Sequence, residues 1–117
     1  MEGQQIKGRG SHTPVSFLVR CQQADLTEVG GKAYNLGTEG IAIKTNCPIR
    51  IGDELAVEFH LPDTLKPLKL AGEVAWRQFH GDSPGQEETL FTAGIKFVEL
   101  EEPLRTVIYE YTQSSGD

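Results

Sequence analysis

From Glu54 to Leu61 the chain alternates without a fault, Leu55, Val57, Phe59 and Leu61 against Glu54, Ala56, Glu58 and His60. A period of two sends one set to a buried face and the other to water, so the segment reads as a half-buried strand. The same period recurs along the chain, and that recurrence restricts the fold to sheets whose two faces differ. Val15, Phe17, Val19 and Cys21 oppose Ser16, Leu18, Arg20 and Gln22 in a first strand over Val15 to Ala24. After Pro67, the residues Leu68, Leu70, Val74 and Trp76 predict a long strand reaching Gln78. Trp76 falls in register with the core there, and Gly72 marks a place for a bend or bulge. Phe91, Ala93, Ile95 and Phe97 give a further strand, with Gly94 on its opposite face.

Two shorter strands lie between the first strand and Glu54. Asp25 to Gly31 reads as acidic and glycine punctuation, Lys32-Ala33-Tyr34 as part of a second strand, and Ile41 to Thr45 as a third, closed at Pro48. Ile49 to Asp53 is a connection. Gly81 to Glu88 holds turn formers and acids without periodicity, and is expected to be a mobile loop. At the C-terminus the period changes: Leu100, Leu104, Val107, Ile108 and Tyr111 follow helical spacing. Glu101, Glu102 and Pro103 suit the helix start, and Ser114-Ser115-Gly116 lies past its end. The fold expected is mainly β, a six-stranded antiparallel β-barrel with a C-terminal α-helix. Residues 1–13 form a polar, glycine-rich arm, 14–113 the barrel with its helix, and 114–117 a tail.

Composition narrows the function. With 117 residues, 38% hydrophobic, the chain fits one domain and one core. Its net charge of −6 argues against binding nucleic-acid polymers or anionic membranes, although a local basic patch is compatible with that total. No apolar run approaches the roughly 20 residues of a membrane span, and the Met1-Glu2-Gly3-Gln4-Gln5 start lacks signal-peptide character, so a cytoplasmic location is expected. Cys21 and Cys47 lie far apart with no CxxC spacing, which predicts no metal, no disulfide and a buried, inert Cys21. His12, His60 and His80 pair with no nucleophile or carboxylate at a catalytic spacing. Glu54, Glu58 and His60 share a strand face that solvation explains. The chain is therefore not expected to be an enzyme.

One stretch stands apart from the strands: Tyr34-Asn35-Leu36-Gly37-Thr38-Glu39-Gly40, running into Ile41-Ala42-Ile43. Asn35 and Gly37 take positive φ at low cost, Thr38 can cap a turn, and Gly40 removes a side chain where a strand starts close to a neighbour. Such a turn lines up backbone N–H groups for an anion or a base edge.

This turn, the strand pair carrying Gly72-Glu73-Val74-Ala75-Trp76, and Gly94-Ile95-Lys96-Phe97 before the terminal helix occur in the order that resembles the PilZ domain, a bacterial receptor module for cyclic di-GMP (c-di-GMP). The resemblance covers Pro14 to Tyr111. It implies two ligand motifs: an arginine-x-x-x-arginine pair before the first strand, and Asp/Asn-x-Ser-x-x-Gly at the turn after the second. Guanidinium forks suit phosphate oxygens and guanine faces, while side-chain oxygens of the turn accept from guanine N–H groups. Here the turn motif reads Asn35-x-Gly37-x-x-Gly40, with glycine at the serine position and Thr38 beside it. The arginine motif reads Arg9 with Thr13, or Gly8 with His12, depending on register. Lys7, Arg9 and His12 leave the arm some positive charge, and Arg20 is available from the strand.

The implied ligand-binding residues are Arg9, His12, Arg20, Asn35, Gly37, Thr38 and Gly40. Their departures from the family pattern imply a non-enzymatic signalling adaptor, without cofactor, that binds c-di-GMP weakly or not at all. Such a module works through protein partners in motility or type IV pilus processes. The alternative is a c-di-GMP receptor that uses Arg9, Arg20 and the Asn35 to Gly40 turn in an altered mode. Candidate partner surfaces are the terminal helix and the loop Asp82 to Glu88.

Overall fold

In the computed structural model, residues 13–62, 64, 66–80 and 91–115 are described. The arm, the loop Gly81 to Glu88 and the last two residues lie outside them, as do Arg9 and His12. The alternating segments become β1 (Thr13–Gln23), β2 (Glu28–Leu36), β3 (Gly40–Thr45), β4 (Glu54–Phe59), β5 (Leu68–Phe79) and β6 (Phe91–Val98), followed by α1 (Glu102–Ser115). All neighbours are antiparallel, in the closed order β1-β2-β3-β6-β5-β4. Closure comes from β1 against β4, with Val19 opposite Phe59 and Gln23 opposite Leu55.

Inward positions read off the alternation fill the barrel: Val19, Cys21, Ile41, Ile43, Val57, Phe59, Val74 and Ile95 are all buried. The helix closes it. Ile108 is fully buried and Leu100, Leu104, Val107 and Tyr111 pack against the core, the stripe that helical spacing predicts. Glu102 in the first turn complements the helix dipole. The buried Thr13 hydroxyl donates to the Thr112 carbonyl at 3.2 Å, tying the start of β1 to the last turn of α1.

Three expectations need correction. β2 begins at Glu28, so Gly30 and Gly31 lie inside a strand rather than in a turn. Val29 and Ala33 bury into the core on either side of them, β1 pairs with both glycines, and the Thr45 hydroxyl of β3 donates to the Gly30 carbonyl at 2.7 Å. Trp76 does not face the core. The irregularity in β5 falls between Val74 and Trp76, not at Gly72, and the extra residue turns Trp76 outward, leaving it 44% exposed. Lastly, positive φ among the described residues occurs at Leu26, Gly52 and Glu99, and therefore not at Asn35 or Gly37.

The turn closes by other means. The Gly37 N–H donates to the Gly40 carbonyl at 2.9 Å, and the Phe97 N–H donates to the Glu39 carbonyl at 2.9 Å. At Gly40 a Cβ would fall on the Ile95 carbonyl oxygen, so the strand starts where only glycine lets β3 approach β6.

Two outcomes follow. Gly40→Ala must move backbone rather than a flexible side chain, and is expected to lower unfolding stability by about 1–3 kcal/mol in urea titration. Burial pushes the Cys21 thiol up from 9.0 to about 12. Above about pH 9 the unfolded chain releases this proton and the folded chain keeps it, so stability falls with rising pH by about 1.4 kcal/mol per unit until the folded thiol also ionises. Denaturation series between pH 8 and 12 should show that slope in the native chain and a shallower one in Cys21→Ala.

Candidate functional site

The cross-strand register places the turn and the tryptophan in one row. Pro14 of β1 is opposite Asn35 of β2, Asn35 opposite Ala42 of β3, Ala42 opposite Gly94 of β6, and Gly94 opposite Trp76 of β5. Directly opposed residues share a face, and Ala42 lies between the buried Ile41 and Ile43, so this row runs over the outside of the barrel. Its middle is a low floor of Ala42 and Gly94. The Trp76 indole lies over Gly94, where a Cβ would fall on the ring nitrogen.

Asn35 stands beside a β-bulge in the β2–β3 pairing. Its Oδ1 is shielded from solvent and has no hydrogen-bond partner among the described residues. A buried carbonyl oxygen left unpaired costs about 1–3 kcal/mol, which a donor brought by a ligand would recover.

Cations flank the floor on both sides. In the row on one side Lys32 of β2 is directly opposite Lys44 of β3, and the Lys44 ammonium lies 5.5 Å from the Tyr34 ring centroid. In the row on the other side Lys96 of β6 is opposite both Gly40 and Glu73. Like charges facing each other across a sheet oppose folding. An anion over the floor would relieve that repulsion. The net acidic chain thus carries a local basic face with one exposed aromatic at its end.

Of the residues implicated by sequence, Asn35, Gly37, Thr38 and Gly40 come together at the β2–β3 turn. Gly37 is buried, while Thr38 and Gly40 are half-buried. Arg20 is not with them. It lies six residues beyond Pro14 along β1, about 20 Å at the rise of a strand, and its exposed guanidinium faces Glu28 at 3.5 Å. Thr13, one of the two residues at the second arginine position, is buried and bonded to Thr112. Lys32, Lys44, Lys96 and Trp76 are the additions. Parity along each strand marks the lysines as outward, but only the register between strands shows that they share a face with Asn35.

His60 and His80 make local contacts: His60 Nε2 lies 2.6 Å from the Thr64 carbonyl oxygen and His80 Nε2 3.2 Å from Thr92 Oγ1. Among the described residues no cluster of metal-ligating side chains occurs, and no helix is long and apolar enough to cross a membrane.

The family model described as PilZ domain matches residues 8–114. The chain belongs to the PilZ domain family. Solved structures agree with the fold. The PilZ domain of YcgR from Escherichia coli, solved with c-di-GMP, superposes with a TM-score of 0.74 at 12% identity, covering 95% of this chain and 92% of that one. The Bacillus subtilis inhibitor of motility MotI/DgrA gives 0.75 at 17% identity, covering 93% of this chain and 51% of that protein, so this PilZ chain spans about half the length of that relative. The PilZ domain of CeSA from a cellulose-synthesizing bacterium gives 0.61 at 13% identity, with 91% and 98% covered. No curated protein matches.

The row through Gly94 is open to a direct check with the single tryptophan of this PilZ chain. Gly94→Ala should lift the indole off β6, shifting emission to the red while far-UV circular dichroism stays that of a barrel. An unchanged spectrum would mean that Trp76 does not lean on Gly94.

Proposed function

We propose that this PilZ domain is a non-enzymatic, cytoplasmic signalling adaptor of a motility system, which binds c-di-GMP weakly and gives its output through protein contacts. The observation that carries the reading is the state of the two family motifs. Thr13 is committed to Thr112, Gly37 offers no hydroxyl, and Arg20 is remote from the turn. Each missing charge-assisted contact is worth about 1.5–3 kcal/mol, so two of them weaken an otherwise intact site by about a hundredfold or more. The motility assignment is supported by the likeness in fold to the Bacillus inhibitor of motility.

One observation favours a second reading. The unpartnered Asn35 Oδ1 together with Lys32, Lys44 and Lys96 would suit a receptor that holds the nucleotide phosphates with lysines and with Arg9 of the arm.

Titration with c-di-GMP, followed by Trp76 fluorescence and calorimetry, separates the two. The natural chain should bind poorly, and the variant combining Gly8→Arg, His12→Arg and Gly37→Ser should bind at least about a hundredfold tighter. Gly37 does not take positive φ, so its backbone accepts a side chain. Low-micromolar binding by the natural chain, lost in Lys44→Ala and Asn35→Ala and unimproved in the triple variant, would overturn the weak-binding reading in favour of the lysine receptor.

A further inference from the structure

Beyond Lys96 and Glu73, the outer surface of β1, β4 and β5 is hollowed into a trough of about 840 Å³. Its floor is a single cross-strand row, Gln22, Ala56, Ala71 and Val98, in which two alanines lower the surface between taller neighbours. The row on one side is Arg20, Glu58 and Lys69, and the row on the other is Glu54 and Glu73. Glu54 and Glu58 lie four residues apart, so the two walls stand about 13 Å from one another at the rise of a strand. An α-helix with its side chains is about 10–12 Å across and fits that width.

Leu26 stands at the rim of this trough, 70% exposed and with φ 71°. It sits in the β1–β2 turn, fixed by its N–H donating to the Gln23 carbonyl at 2.8 Å, with the Gln23 N–H donating to the Thr27 carbonyl at 2.8 Å. Glycine or asparagine ordinarily takes such a position, and a branched side chain there is strained. Leu26 thus combines two penalties, a left-handed backbone and an apolar side chain in water, at the edge of a groove. Strain held in place by its surroundings is characteristic of recognition sites.

Charge identifies the occupant. The trough is lined by four carboxylates, Glu28, Glu54, Glu58 and Glu73, against the cations Arg20 and Lys69; Arg20 faces Glu28, Lys69 is opposite Glu58 and Lys96 borders Glu73, while Glu54 and Glu73 oppose each other as like charges. Helix α1 of a second copy, with Glu102 and Glu110 against Arg105, carries the wrong sign. We infer that the trough docks a basic amphipathic α-helix of a partner protein, laid across the strands with apolar residues over Ala56 and Ala71 and its lysines or arginines against the opposed pair Glu54 and Glu73. Leu26 closes on the apolar edge of that helix, the helix-in-groove mode of recognition. The inference rests on the reading that output passes through protein contacts, and adds to it the face and the chemistry of the partner.

The test uses the full chain, ¹⁵N-labelled, and a synthetic helical peptide about 14 residues long, with leucines at helical spacing and lysines elsewhere. A matched peptide with glutamates in place of the lysines is the control. Amide shifts are expected to cluster on Gln22, Leu26, Ala56 and Ala71 with the basic peptide alone. Leu26→Gly should raise the thermal midpoint, because it relieves the backbone, while weakening the peptide at least about tenfold. The double variant Glu54→Lys and Glu73→Lys should weaken it similarly without unfolding the chain, since both residues lie on the outer face.

Shifts on α1 or on the lysine face, with the trough silent, would overturn the assignment of the trough while leaving a protein-contact output in place. No shifts at any site, equal response to both peptides, or indifference to Leu26→Gly would overturn the docking site itself. The c-di-GMP titration has no bearing on these results.

Discussion

The pairing of β1 with β4 is the constraint on which the rest of the domain depends. Five opposed pairs, from Val19 with Phe59 to Gln23 with Leu55, join segments more than thirty positions apart and turn a sheet into a barrel. Such a contact has to offset the entropy of closing a long loop. It does so by burying Val19, Cys21, Val57 and Phe59 together, with Phe17 stacked on Phe59 at 5.4 Å between ring centroids. Once closed, the barrel has a fixed inside for α1 to cover, and the bond from Thr13 to Thr112 holds the first strand to the last helix.

Much of this was legible in the chain, for a simple reason. Side-chain parity in a strand and the 3.6-residue repeat of a helix are local properties, so Leu55, Val57 and Phe59 declare an inward face, and Ile108 a helical one, with no knowledge of their neighbours. Register between strands is not local. Asn35 and Trp76 occupy one row because of three successive pairings, none visible from either residue alone. A single bulge after Val74 reverses parity, which is why Trp76 keeps the spacing of a core residue and yet stands outside. The position of Arg20 was hidden for the same reason: its distance from the turn depends on which residue of β1 meets Asn35. The Gly30-Gly31 pair looks like a break in one dimension and is an interior segment of a sheet in three.

In the candidate site the turn is held independently of the side chains that ligand binding would use. The turn, its terminal glycine and the asparagine are held by backbone bonds and by the close approach of β3 to β6, none of which needs the serine or the arginines. Architecture and ligand chemistry are therefore separable here. Lys32 and Lys44 beside the Ala42 and Gly94 floor contribute nothing to the core and are opposed in a way that folding alone would not favour, whereas Lys96 faces Glu73.

A closed ring of strands has a consequence for how this domain meets other molecules. With no edge strand among the described elements, most ladder hydrogen bonds are consumed within the ring, and strand addition is confined to the short stretches of β1 and β5 beyond the register of β4, which reaches Val19–Gln23 of the one and Leu68–Glu73 of the other. Most of what the barrel tells its surroundings is therefore written in outward side chains. Those side chains alternate with a core that they do not touch, so one outward row can be rewritten without disturbing another or the interior. The scaffold is in this sense a set of independent lines of text on one cylinder, and a lineage can change its ligand or its partner one line at a time.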